Sequence, residues 1–118
     1  QLNIGKLVGE RASKIMLDIL GQQKINDRIS RGLPRGWRVA HKTGLQREVC
    51  HDVGIVYHPL GDFTICVLTD KIYNFRIAKR LISDISRLVF EHYDTRFYSA
   101  PKMYTAGANS GRDKRHRG

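Results

Sequence analysis

The chain has 118 residues, 41% of them apolar, which is enough for one small folded core. Lysine and arginine outnumber aspartate and glutamate by 21 to 11, and half of the resulting +10 lies in residues 95–118, where six basic residues stand against Asp113. Two cysteines without a Cys-x-x-Cys pair exclude a disulfide scaffold, and the lack of any apolar run of about 20 residues excludes a membrane span.

Residues 1–12 mix apolar positions with Gly5 and Gly9, so a short helical turn is the most they predict. Ser13 has the chemistry of an N-cap. Ile15, Met16, Ile19 and Leu20 then follow at helical spacing, and Gly21 marks the end. This short amphipathic helix needs a partner for its apolar face. Residues 22–36 read as a structured connection anchored by Ile25 and Ile29. It closes at Gly32-Leu-Pro34, because the residue before proline disfavours helix. A first strand is predicted over residues 37–44, a polar hairpin loop over 45–51 and a second strand over 52–58. Pro59-Leu-Gly61-Asp62 turns the chain into a third strand over 63–70. Asn74 can cap a last helix near 74–93, whose Phe75, Ala78, Leu81, Ile82, Ile85, Leu88 and Val89 recur at three and four residues. After Asp94 the pattern stops. Residues 95–118 are read as a basic, mostly disordered tail, and residues 1–94 as the folded part. The predicted class is α+β, an antiparallel three-stranded meander packed against a C-terminal helix.

The chemistry concentrates in Trp37-Arg-Val-Ala-His-Lys42-Thr43-Gly44. A strand here ends by presenting an ammonium, a hydroxyl and a residue with no side chain, where something can approach the backbone. Together these suit a carboxylate and a developing oxyanion. The guanidinium of Arg28 would suit the same carboxylate.

The ordered series Arg28-Ile29, Gly32-Leu-Pro-Arg-Gly36-Trp37, Lys42-Thr-Gly44 and Asp52-Val-Gly-Ile-Val56 resembles the C-terminal part of class A serine β-lactamases and their penicillin-binding relatives, over roughly residues 1–94. The resemblance implies the C-terminal part of a β-lactamase-like α/β sandwich. It implies a β-lactam substrate, opened through an acyl-serine intermediate with no cofactor, and a periplasmic or secreted location. Under it, Lys42 supplies positive potential, Thr43 holds the substrate carboxylate, Gly44 keeps the strand edge open, and the N–H of Leu45 is one of two oxyanion donors.

The same resemblance calls for a Ser-x-x-Lys motif upstream of Lys42. Ser13 is followed three residues on by Met16, and Ser30 by Leu33. The string occurs at Ser99-Ala-Pro-Lys102, after the last helix and with a proline inside it. Ser83-Asp84-Ile85 imitates Ser-Asp-Asn but sits on that helix. The chain is therefore expected to lack its nucleophile, to be inactive alone, and to self-associate or join a complementing N-terminal segment. Two other readings stay open: a catalytically inactive interaction module, and a small basic nucleic-acid-binding protein. The second is weaker, because the basic residues are not interleaved with aromatics on the strands. His41, His51, His58, Cys50 and Asp52 match no metal-ligand spacing.

Overall fold

The computed structural model describes the backbone of residues 1–99 and the side chains of residues 1–95; the basic tail expected after that point lies almost wholly outside the described residues. A 3-10 turn over Leu2–Ile4 leads to α1 (Glu10–Gly21) and the single-turn α2 (Ile29–Gly32). β1 (Val39–Gln46), β2 (Val49–Val56) and β3 (Phe63–Val67) follow, and then α3 (Phe75–Ser99). The strands form one antiparallel sheet in the order β1-β2-β3, the expected meander.

Helix α1 begins earlier than Ser13 implied. Gly9 takes a φ of 85°, a turn only glycine makes freely, and is itself the N-cap. Ser13 is inside the helix and buried, with its N–H on the Gly9 carbonyl at 3.0 Å. Gly21 ends the helix as expected. Ile15, Met16 and Ile19 are exposed, so the described residues do not cover the helix's apolar side.

The hairpin is tighter than its polar sequence suggested. Residues 45–51 are not a loop: β1 and β2 pair to Gln46 opposite Val49, leaving a two-residue turn in which Glu48 has a φ of 63°. Burial of Cys50 in the core draws this segment into the sheet. β3 ends at Val67 rather than 70, and side chains replace its ladder. The Thr69 hydroxyl accepts from the Cys50 N–H at 3.0 Å and donates to the Cys50 carbonyl at 2.6 Å. The Thr69 N–H donates to His51 Nδ1 at 3.1 Å.

Asn74 caps α3 as predicted, its Oδ1 accepting from the N–H groups of Arg76 and Ile77. The helix continues beyond residue 93 to Ser99. Its buried side is rotated from the expected one: Ala78, Ile82, Ser83, Ser86 and Phe90 are inside, whereas Leu81 and Leu88 are exposed. The cause is the close approach of α2. A side chain at Gly32 would meet the Ser83 carbonyl oxygen, so only small residues fit between the two helices. The Ser86 hydroxyl fixes that contact by donating to the Ile29 carbonyl at 2.9 Å.

The core lies between the sheet and α3. Ile29, Leu33, Val39, Val56, Phe63 and Ile65 meet Ala78, Ile82 and Phe90 there. The Trp37 ring stands edge-on to Phe90 with centroids 4.6 Å apart, and Phe63 stacks on Tyr93 at 4.4 Å. Trp37 Nε1 donates to the Tyr57 carbonyl at 2.9 Å.

Among the described residues the Tyr57 hydroxyl is enclosed without a hydrogen-bond partner, and burial pushes this phenol above its ordinary 10.0. The Arg38 guanidinium, 4.3 Å above the ring, pulls the other way and is outweighed. The folded chain then holds this proton to higher pH than the unfolded chain. The group's contribution to stability is complete below the ordinary value and is lost as pH rises through the folded one. Subtracting the alkaline absorbance titration of Tyr57→Phe from that of the native chain should give one tyrosine ionising above 10.0; a midpoint at or below that value would refute the assignment.

Candidate active site

β1 pairs with β2 on one side only, so among the described residues its other edge is open. Successive side chains alternate across the sheet. Lys42, opposite Val53, faces away from α3 and is exposed, and its ammonium donates to the Thr43 carbonyl at 2.6 Å. It borders a shallow apolar groove of about 160 Å³, lined by Leu20, Ala40, Val53, Ile55 and Thr64.

Thr43 sits on the other face, opposite Asp52, and is largely buried. Gly44 pairs with His51, and a side chain there would lie 3.4 Å from His51 Cβ. That is ordinary van der Waals contact, so the sheet itself does not require glycine at this position. Leu45 is exposed near the hairpin end of β1. The structure therefore brings Lys42, Thr43, Gly44 and Leu45 together on one strand beside an open edge.

Arg28 is placed differently from its sequence reading. It is 1% exposed, its Nε donates to Cys50 Sγ at 3.2 Å, and its Nη1 is 3.3 Å from Asp27 Oδ1. Asp27 is held in turn by Lys79 of α3 at 2.6 Å. The guanidinium lies within the fold rather than on its surface.

Sequence reading missed a buried polar chain beneath the strand. His41 Nδ1 is 3.0 Å from Asp52 Oδ1, and His41 Nε2 is 3.0 Å from Asn26 Oδ1. The second Asp52 oxygen accepts from the Ile29 N–H at 3.0 Å. His41 is 2% exposed and Asp52 0%. Gly54 stands opposite His41 in the register, and a side chain there would come within 2.8 Å of His41 Cβ. Asp52 thus receives the imidazole and Gly54 makes room for it. The signal was available: Val39, His41 and Thr43 alternate on one face of a strand whose other members are core.

Among the described residues no group of three or more His, Cys, Asp or Glu side chains is placed to hold a metal ion. No helix among them is long and apolar enough to cross a membrane. Ser83, of the Ser-Asp-Ile string, is buried in α3. The side chains of Ser99-Ala-Pro-Lys102 lie outside the described residues.

A one-sided sheet with a Lys-Thr-Gly strand at its edge and a long helix beneath defines a recognisable class. Residues 1–93 match the Beta-lactamase enzyme family, and the chain belongs to it. Among solved structures it is similar to PBP-A, with a TM-score of 0.72 and 28% identity over 80% of this chain and 36% of that one. It is similar to the same extent to a β-lactamase from Sphaerobacter thermophilus, with a TM-score of 0.73, 28% identity and the same coverage. A reconstructed class A β-lactamase of the last common ancestor of Gram-negative bacteria matches with a TM-score of 0.66 and 25% identity, over 73% of this chain and 35% of that one. A mutant of PBP-A is described as an acyl-enzyme complex with penicillin-G. No curated protein matches the chain. The chain spans little more than a third of the length of these solved relatives.

Proposed function

We propose that this chain forms one wall of an acyl-serine active site that opens β-lactams, with the nucleophilic serine supplied from outside the described residues. The observation that carries the reading is the exposed Lys42 and adjoining Thr43 on the open-edged strand of a chain similar to PBP-A, a mutant of which forms an acyl-enzyme with penicillin-G. A serine hydroxyl attacks the strained amide carbonyl, the ring C–N bond breaks, and the nitrogen takes up a proton. Water then cleaves the acyl ester and regenerates the serine. Lys42 supplies positive potential at the substrate carboxylate and at the hydroxyl network around the nucleophile. Thr43 helps to hold the carboxylate. Gly44 leaves the edge clear for a substrate lying along β1. The Leu45 N–H is one of two donors to the oxyanion, the other being that of the serine. Arg28, enclosed behind the strand, contributes positive charge from within rather than by direct contact.

Nitrocefin hydrolysis tests this. The isolated 118-residue chain is expected to give no turnover above buffer, whereas the polypeptide with a Ser-x-x-Lys segment restored ahead of it turns the dye over. Turnover by the rigorously purified chain alone would sink the claim about the nucleophile. A complete polypeptide with that motif intact that forms no covalent adduct with penicillin would sink the hydrolase reading.

A second reading is an inactive relative serving as an interaction module. The exposed Ile77, Leu81 and Leu88 on α3 favour it, as does the uncovered apolar side of α1, because apolar surface of this kind marks association. Either a complementing N-terminal segment or a second copy would cover them. A different residue at the serine position of the complete polypeptide would select this reading.

A further inference from the structure

The buried chain Asn26–His41–Asp52 contains a proton assignment that its geometry decides. Asn26 Nδ2 donates to the Gln23 carbonyl at 2.8 Å, which orients the amide so that its oxygen faces His41 Nε2 at 3.0 Å. Asp52 Oδ1 faces His41 Nδ1 at the same distance. Both ring nitrogens therefore face oxygen acceptors. With Asp52 ionised, a neutral imidazole, which has one N–H and one lone pair, would set lone pair against lone pair at one end. An imidazolium satisfies both ends, and the Asp52 carboxylate, which also accepts from the Ile29 N–H, balances its charge. The other charged groups nearby come from the segment before α2 and from α3. Arg28 lies on Cys50, and Asp27 is engaged by Arg28 and Lys79. Lys42 is on the opposite face of the sheet.

We propose that His41, doubly protonated between Asp52 and Asn26, is the positioning residue of the Lys42-Thr43 strand end. It joins β1 to the irregular segment 26–29, and Asp52 joins the same segment to β2. The strand end is thereby tied to two other parts of the chain, immediately before the two residues that the proposed function uses. What is positioned rests on that hydrolase reading; the clamp itself does not.

The test is made on the 118-residue chain by ¹⁵N NMR of the imidazoles at neutral pH. His41 should show protonated-type shifts at both ring nitrogens, and an unprotonated shift at either one overturns the proposal. Asp52→Asn gives a second reading. Its carbonyl can still accept from the Ile29 N–H while its amide donates to His41 Nδ1. His41 should then become neutral with its proton on Nε2, and retention of the imidazolium would contradict the pairing. In His41→Ala, amide exchange at Lys42 and Thr43 should quicken by about tenfold or more while Ile82 in the core is unchanged. Uniform acceleration, or none, would mean the residue only fills space. None of these readouts uses a β-lactam, so loss of the hydrolase reading and loss of the clamp are separately visible.

Discussion

On the proposed hydrolase reading, Lys42→Ala in a polypeptide that carries the Ser-x-x-Lys segment is expected to lower the acylation rate by β-lactams by about 10²–10³-fold, the scale on which a single preorganised electrostatic group acts. Folding should be almost unaffected. The side chain is exposed, it donates to the neighbouring Thr43 carbonyl, and it borders an apolar groove. Lys42→Arg should recover part of the rate, because the charge is kept while the planar guanidinium presents its donors in a different geometry. The effect should fall mainly on acylation rather than on the release of the acyl group, since the role proposed for that potential is at the docking carboxylate and the forming oxyanion. Stopped-flow acylation with nitrocefin, beside a thermal unfolding scan, checks both halves. A variant that acylates within about threefold of the native protein would remove Lys42 from the site.

Gly32→Ala is expected to be the most damaging small substitution in the chain. A Cβ there would come within 2.9 Å of Arg87 N and of Ser86 Cβ, and closer still to the Ser83 carbonyl oxygen. These are backbone and core atoms of α3, which cannot rotate away as a flexible side chain could. The helices must separate, the Ser86 hydroxyl loses the Ile29 carbonyl, and the packing of Ile82 and Ile29 opens. Overpacking of this kind costs about 3 kcal/mol or more. Gly21→Ala is the matched control. Among the described residues nothing beyond its chain neighbours and its own helix backbone lies within 4 Å of the added carbon, so it should be neutral or raise stability by a few tenths to about 1 kcal/mol. Urea denaturation of the two variants decides the matter, and a Gly32→Ala protein as stable as the native one would show that α2 and α3 do not meet as described.

The strong regularities were legible from the residues alone. The three strands, the Asn74 cap and the long last helix rest on local chemistry: β-branched runs between turn residues, an Asx side chain before a helix, and apolar residues at intervals of three and four. The errors have local causes too. Ser13 has the chemistry of a cap, but a glycine at positive φ four residues earlier had already begun the helix. Leu45 to His51 looked polar enough for a loop, yet Cys50 belongs to the core and carries its neighbours into the ladder. Leu81 and Leu88 fitted the helical stripe, but Gly32 meets α3 at Ser83, and that close approach chose which side turned inward.

The site divides along the same line. Lys42, Thr43 and Gly44 form a contiguous stretch, so their place at one strand end was settled by the sequence, although alternation sends the Lys42 and Thr43 side chains to opposite faces. Their surroundings were not. Arg28 reads as a free cation until the structure encloses it against Cys50 and Asp27. His41 reads only as a strand histidine without metal-ligand spacing until Asp52, eleven residues on, and Asn26, fifteen residues back, meet its two nitrogens. Pairings of that kind depend on strand register, and a shift of one residue would turn His41 to the opposite face. The sequence by itself therefore determined the family, the meander and the Lys-Thr-Gly strand. Tertiary structure alone decided which polar groups were buried and paired, because burial and register come from how distant segments pack.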